Sequence, residues 1–490
     1  MTGKPTTRVP RTVTACLTFA VLRHLWAAAS SIGSVGVIGP IDWVVLAAAE
    51  VLLLSVALHA PSMFQVRRLR LVGVATAANS LLILAPLPDV IPTYNELVPR
   101  AMIFSLAAAV AAMALVFLTL SKWSTRDLSV RIPQVGRSER LLPTAIVVLT
   151  IVVLPLWFVS SGLPPLFNLL TGTSSNDLAA DRQAAFSQLG SAPLRLVLGI
   201  LRNLLIMFAG GWFAASAVSV PRDEWRRRST SEIGAMLVAG LGVFFALLTT
   251  ERAVVGELLV VCGIAVLLAK GQELSAKVVG ALVAVAAAFP VAVGILSGAG
   301  SLIEVLIGLR RRIFHLPAEV MTRYFIEFPR YHEHLHGASI PKLSYLTGGE
   351  TFDLSQYIYL RYYQRSGNIV GNANGSFLGV GWANFGFLGV VLWALAAAVT
   401  LVVLDRAIDQ LPLASRSALR GLGVIMAVLT TSSDIFRNIL SFLPGFLDLV
   451  IVVWLIARLN ERRAFGHEPA PPLTSNPEQD LRVRLRAPSD

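Results

Sequence analysis

The chain has 490 residues, 55% hydrophobic and 14% charged, with a mean hydropathy of +0.69. A water-soluble chain of this length cannot hide so much apolar surface, which excludes a soluble enzyme and leaves a polytopic, all-α membrane protein. The net charge of +12 implies no nucleic-acid partner, because Lys- and Arg-rich cytoplasmic loops are its usual source in membrane proteins.

In chain order, Lys4, Arg8 and Arg11 precede an apolar run that Arg23-His24 interrupts. No clear cleavage site follows, so this run reads as a retained first helix. Apolar segments of spanning length fall near 12–37, 41–60, 70–88, 99–121, 141–160, 193–219, 232–250, 253–269, 276–297, 377–404, 418–433 and 441–458. They predict about twelve transmembrane helices in one membrane domain, 1–458, with membrane lipids as its surroundings. Two connections are long, 161–192 and 298–376, and residues 459–490 read as a disordered cytoplasmic tail rich in Pro and charge.

Charge alternates along the connections. The N-terminal tail, 61–70, 121–140, 221–231, 270–277, 405–420 and 458–490 carry 26 of the 41 Lys and Arg, whereas 38–40, 89–98 and 433–440 carry only Arg437. This positive-inside pattern predicts a multi-pass protein of the cytoplasmic (inner) membrane with both termini in the cytoplasm and both long loops outside. Cys16 and Cys262 each lie in an apolar run and suggest neither a disulfide framework nor a metal cluster.

All eight tyrosines (Tyr94, Tyr324, Tyr331, Tyr345, Tyr357, Tyr359, Tyr362 and Tyr363) fall on the outer side. An interfacial aromatic belt would serve both faces. The one-sidedness favours an outward-facing polar ligand, since tyrosines stack on sugar rings and hydrogen-bond their hydroxyls.

Fifteen basic residues lie outside or within spans, and fourteen are Arg. Arg195 and Arg202 are seven apart, on one face of the sixth span, and an Arg in a span costs at least ~2.5 kcal/mol unless it faces a cavity or partner. Glu251-Arg252 sits at a tight outer hairpin, as an ion pair closing the turn or as a ligand site. Arg310, Arg311 and Arg312 end an apolar helical stretch, where snorkelling is the alternative to ligand binding. Together the arginines suggest an anionic ligand just outside the membrane, because Arg forks match phosphate oxygens bidentately.

Residues 330–337 read RYHEHLHG, with three of the seven histidines. His332, His334 and His336 alternate, so on a strand they would share a face. A metal site lacks a supporting ligand spacing elsewhere, and none is expected. A solvated loop and a site with a neutral imidazole acting as base stay open.

The stretches GLPPLFN, DRQAAF, TTER, YFIEFPRYHEHLHGAS and NANGSFLGVGWANFGFLGVVL resemble the oligosaccharide repeat-unit (O-antigen, Wzy-type) polymerases over roughly 155–400. In that family a large outer loop with a Pro and then a His-Gly follows about nine spans. A glycine-rich opening of the next span follows, which Gly381, Asn384, Phe385, Gly386 and Gly389 fit. Where the related O-antigen ligases have His-Asn, this chain has Asn374 followed by Gly375. The resemblance implies a GT-C-like membrane fold and a glycosyltransferase that needs no cofactor. Its expected substrate is an undecaprenyl-diphosphate-linked oligosaccharide, with a chain-length regulator or flippase as a further partner. On that reading Arg182, Arg195, Arg202, Arg310, Arg311 and Arg312 bind diphosphate, and Arg252 joins them in catalysis. His336, or failing it Glu251 or Glu350, activates the acceptor, and Tyr331, Tyr357 and Asn374 contact sugar. An O-antigen ligase-like transferase and a transporter of lipid-linked sugars are the alternatives. A transporter should show two similar halves, and no internal repeat is visible.

Overall fold

The computed structural model describes residues 11–32, 37–64, 69–94, 97–124, 137–161, 192–221, 223–249, 252–272, 301–340, 350–364, 371–434 and 445–465, with isolated positions among 277–291 and at 344 and 439. Among them the protein is helical without a strand. The main helices are α1 (Arg11–Ser30), α2 (Pro40–His59), α3 (Leu71–Asn79), α4 (Arg100–Ser124), α5 (Leu141–Ser161), α6 (Ala192–Ile200), α7 (Ile206–Ser219), α8 (Trp225–Thr249) and α9 (Arg252–Ala269). They continue with α10 (Leu302–Phe314), α11 (Leu316–Glu327), α12 (Leu354–Tyr362), α13 (Phe377–Asp409), α14 (Leu413–Leu429) and α15 (Phe446–Phe465).

Among the described residues six stretches are long and apolar enough to cross a membrane: Arg11–Ser30, Pro40–His59, Leu71–Tyr94, Arg100–Leu120, Pro193–Ser219 and Phe377–Asp409. Leu141–Pro155 and Val254–Ala269 are apolar but shorter. This is the composition of a helical membrane protein. The expected segments 232–250, 418–433 and 441–458 are helical in α8, α14 and α15. Most of 276–297, the 162–191 loop and the chain after Phe465 lie outside the described residues. α15 runs on to Phe465, past the expected boundary at 458.

Helices α1, α2, α4 and α13 pack as one group and α7, α8, α9 and α14 as another, with α3 bridging α13 and α14. Small residues allow the second group its close approach. A Cβ on Gly421 would lie 2.7 Å from the Val261 carbonyl oxygen, and one on Gly211 3.2 Å from Ala418 Cα.

Contacts between connections gather at two ends. At one end Arg420, buried, bonds Asp405, Asp409 (2.7 Å) and the Leu69 carbonyl (2.9 Å), and Arg70 pairs with Asp409. Asp405 also accepts the Leu71 and Val72 amides at 2.9 and 3.3 Å, so a side chain of α13 caps α3, whose own N-cap position holds Arg70. At the other end Arg100 forks onto buried Asp42, Arg23 meets Asp89 at 2.5 Å, and Tyr94 reaches Glu319. These are the connections that charge alternation assigned to the inside and the outside respectively.

The described residues of 298–376 include α10, α11 and α12, which lie at that second end. Their anchor is a break in α13. Phe385 (φ −138°, ψ 20°) and Gly386 (φ 58°, ψ −140°) leave helical geometry, and Gly386 occupies a region open only to glycine. The break frees the carbonyls of Ala383 and Asn384, which accept the amides of Leu335 and His336, each at 2.9 Å. The Asn384 side chain accepts the Gly337 amide at 3.0 Å. Gly381 and Gly389 face each other across the bend, where a Cβ on Gly381 would lie 2.6 Å from the Gly389 oxygen.

Candidate functional site

The site grows from α11. Glu319, Arg323 and Glu327 are spaced four apart and therefore share one face of the helix. Pro at the start of α11 sets its first turn, while the opposite face buries Val320, Met321, Tyr324 and Phe325 in the core.

Glu327 is fully buried and accepts the hydroxyls of Tyr357 (2.6 Å) and Tyr362, with Arg361 Nε 3.8 Å away. Glu319, also buried, accepts Tyr94 at 3.1 Å and Tyr363 at 3.4 Å through one oxygen. Its other oxygen faces Arg311 at 3.7 Å and His315 at 3.8 Å. Arg323 lies between them, its guanidinium 3.9 Å from the Tyr94 ring centre and 4.5 Å from that of Tyr362. Burial, reinforced by the bonded Glu327, pushes the Tyr357 hydroxyl up to about 12. Burial and the same carboxylate raise Tyr362, and burial with Glu319 raises Tyr363. The tyrosines thus stay neutral donors, and the cluster alternates carboxylate, guanidinium and carboxylate under a layer of phenol rings.

Beside it lies α10. A Ser301–Glu304 capping box starts the helix, and none of its residues is buried. Leu302, Ile303, Leu306 and Ile307 are exposed next to Arg310, Arg311 and Arg312, a combination suited to the boundary between lipid tails and headgroups. The Arg311–Glu319 pair is too long for a hydrogen bond, and its Arg is 61% exposed, so it is worth under ~1 kcal/mol. An arriving anion can recruit Arg311 at little cost.

The three histidines diverge, because residues 332–337 follow the break in α13 instead of forming a strand. They do not share a face. His332 packs among Phe328, Phe352 and Tyr357 at ring distances of 5.3, 5.2 and 5.5 Å. His334 lies edge-on to Trp382, its Nε2 3.2 Å from where a Gly386 Cβ would be. His336 is exposed, with φ 47° ahead of Gly337 at φ 95°, and its ring is 6.3 Å from Phe385. Among the described residues no group of three His, Cys, Asp or Glu could hold a metal ion.

Of the other residues singled out above, Tyr331 is exposed, with Arg330 and Arg361 over its ring at 5.4 and 5.7 Å. Asn374 and Glu350 are exposed; Asn374 lies between Ala373 and Gly375, whose backbones bond the Tyr324 hydroxyl. Arg195 is exposed on α6, and Arg202 stands in a π-helical turn, Leu201–Leu205, bonded to Asn203 at 2.9 Å. Arg252 opens α9; its side chain, with Arg182 and Glu251, lies outside the described residues.

No family model, curated protein or solved structure matches the chain.

Proposed function

We propose that the chain is a polysaccharide polymerase of the cytoplasmic membrane, moving a growing glycan from undecaprenyl diphosphate to an incoming lipid-linked repeat unit on the outer face, with both termini inside. The observation that supports this best is the junction of α10 and α11. There, exposed apolar residues, three arginines and the carboxylates that hold the tyrosine layer follow one another along the chain. A lipid-linked glycan presents the same order: hydrocarbon, diphosphate, sugar. The tail lies along Leu302, Ile303, Leu306 and Ile307, Arg310–Arg312 meet the phosphates, and the Tyr94, Tyr357, Tyr362 and Tyr363 layer receives sugar.

In the transfer an acceptor hydroxyl oxygen bonds to the anomeric carbon as that carbon's bond to diphosphate oxygen breaks. The leaving diphosphate takes the electron pair, and arginines aimed at it stabilise the growing charge. The acceptor proton passes to His336, whose exposed ring can approach a bound hydroxyl. Glu327 holds two tyrosine hydroxyls and acts as a positioning residue.

The test is reconstitution of purified protein with a lipid-linked repeat unit. A ladder of longer glycans still on lipid diphosphate is expected. Unchanged glycan carried across the bilayer would instead mean a transporter, and glycan transferred whole to a different lipid acceptor would mean a ligase.

A further inference from the structure

A second polar group lies inside the spanning bundle. Glu50 stands mid-way along α2, about 15 Å from either end, and is fully buried. Its two oxygens lie 3.3 and 3.2 Å from Ser80 Oγ. Among the described residues no cation pairs with Glu50, and this hydroxyl is its one recorded side-chain partner. An ionised, unpaired carboxylate here would cost several kcal/mol, about the burden that in-membrane charges carry.

The charged groups facing α2 are committed elsewhere. On α1, Arg23 bonds Asp89 and the Ala85 carbonyl; at the start of α4, Arg100 bonds Asp42 of α2. The other titratable groups on α1 are Cys16, half-buried, and His24, fully buried, with Nε2 3.1 Å from the Leu84 carbonyl and Nδ1 without a described partner. Leu84 offers that carbonyl because the residue four ahead is Pro88, which has no amide hydrogen. His24 stacks on Trp43, seven residues before Glu50 on α2 and so on the same face. Leu84 is four residues beyond Ser80, and a π-helical turn, Ser80–Leu84, links the two. Polar groups thus occur in order from exposed Asp89 and half-buried Arg23 to His24, and one helical turn beyond Leu84 to Ser80 and Glu50.

We propose that Glu50 is an intramembrane proton-binding site, reached from the Asp89 end of the bundle through His24. The ligand is a single proton on a carboxyl oxygen. His24 relays it by taking a proton on one ring nitrogen and releasing one from the other. This assignment is independent of the glycan chemistry proposed above.

The test is infrared spectroscopy of the full chain in lipid at neutral pH. Glu50→Gln should lose a protonated-carboxyl band, and Ser80→Ala, which keeps the carboxyl, should shift that band. Loss of a carboxylate band instead would overturn the proposal, as would a Ser80→Ala spectrum identical to the parent's. Hydrogen–deuterium exchange of the band should slow several-fold in His24→Leu, and an unchanged rate would remove His24 from the route. Dicyclohexylcarbodiimide, a lipid-soluble reagent for protonated carboxyls, should label the Glu50 peptide in the parent and in Ser80→Ala.

Discussion

The Tyr357 hydroxyl donates to Glu327 at 2.6 Å, joining α12 to a carboxylate buried on α11. Tyr362, one turn further along α12, donates to the other oxygen of the same carboxylate. Glu327→Ala strands both hydroxyls, at about 1–3 kcal/mol for each buried donor left unsatisfied. Thermal unfolding in detergent should therefore fall clearly, while Glu327→Gln, which keeps one acceptor oxygen, should fall less. An alanine variant as stable as the parent would show that the pair does not hold α12.

The same bond has an alkaline limit. A free tyrosine ionises near ~10, and in the fold Tyr357 does so near about 12. The folded state keeps its proton longer, so this contribution is whole below the lower value and is lost as pH rises through the upper one. Tyrosinate absorbance of the parent minus Tyr357→Phe should titrate above the free value; a difference that titrates at the free value would contradict it.

His336→Ala should abolish glycan elongation with the protein at its normal level, because an exposed ring on a left-handed residue contributes little packing. His332→Ala should lower the level instead, since it removes a ring wedged among Phe328, Phe352 and Tyr357. Membrane blots and glycan length measured together separate these outcomes. Equal, small effects would return the stretch to a solvated loop.

Arg311→Lys should lose most activity, nearly as much as Arg311→Ala, if a fork grips diphosphate. One lost charge-assisted bond costs about 1.5–3 kcal/mol, or roughly 10- to 100-fold in rate. If Arg311 only faces Glu319, lysine should serve as well, and elongation at the parental rate would decide for that.

Arg420→Ala leaves Asp405 buried without its cation, a change that typically costs about 3–5 kcal/mol. The variant should be poorly retained in membranes. Asp405→Asn should do better, because an amide oxygen can still accept from α3.

Hydropathy made a helical membrane protein legible, but of about twelve expected spans six are long and apolar enough among the described residues. Alternating basic residues likewise sorted the connections into the two groups that meet at the two ends. The one-sided tyrosines pointed to the end where α11 and α12 gather, but not to what they surround. Glu319, Arg323 and Glu327 were available as a four-residue spacing, yet their tyrosines arrive from residue 94 and from 357–363, a pairing made only by folding. The histidine alternation misled because it presumed a strand, whereas the amides of 335 and 336 are spent on the carbonyls of 383 and 384 and that of 337 on the Asn384 side chain. Asn384-Phe385-Gly386 stood out as a motif, but a bend needs its distant partner to be recognised as one.

That bend also bears on biogenesis. Residues 335–337 leave the ribosome before 383 and 384, so their amides wait for carbonyls made later. The segment that carries the histidines is therefore fixed only once α13 is in place. A chain lacking the His-Gly strip would deliver α13 to the membrane with two peptide carbonyls unclaimed, and quality control would meet the fault at insertion.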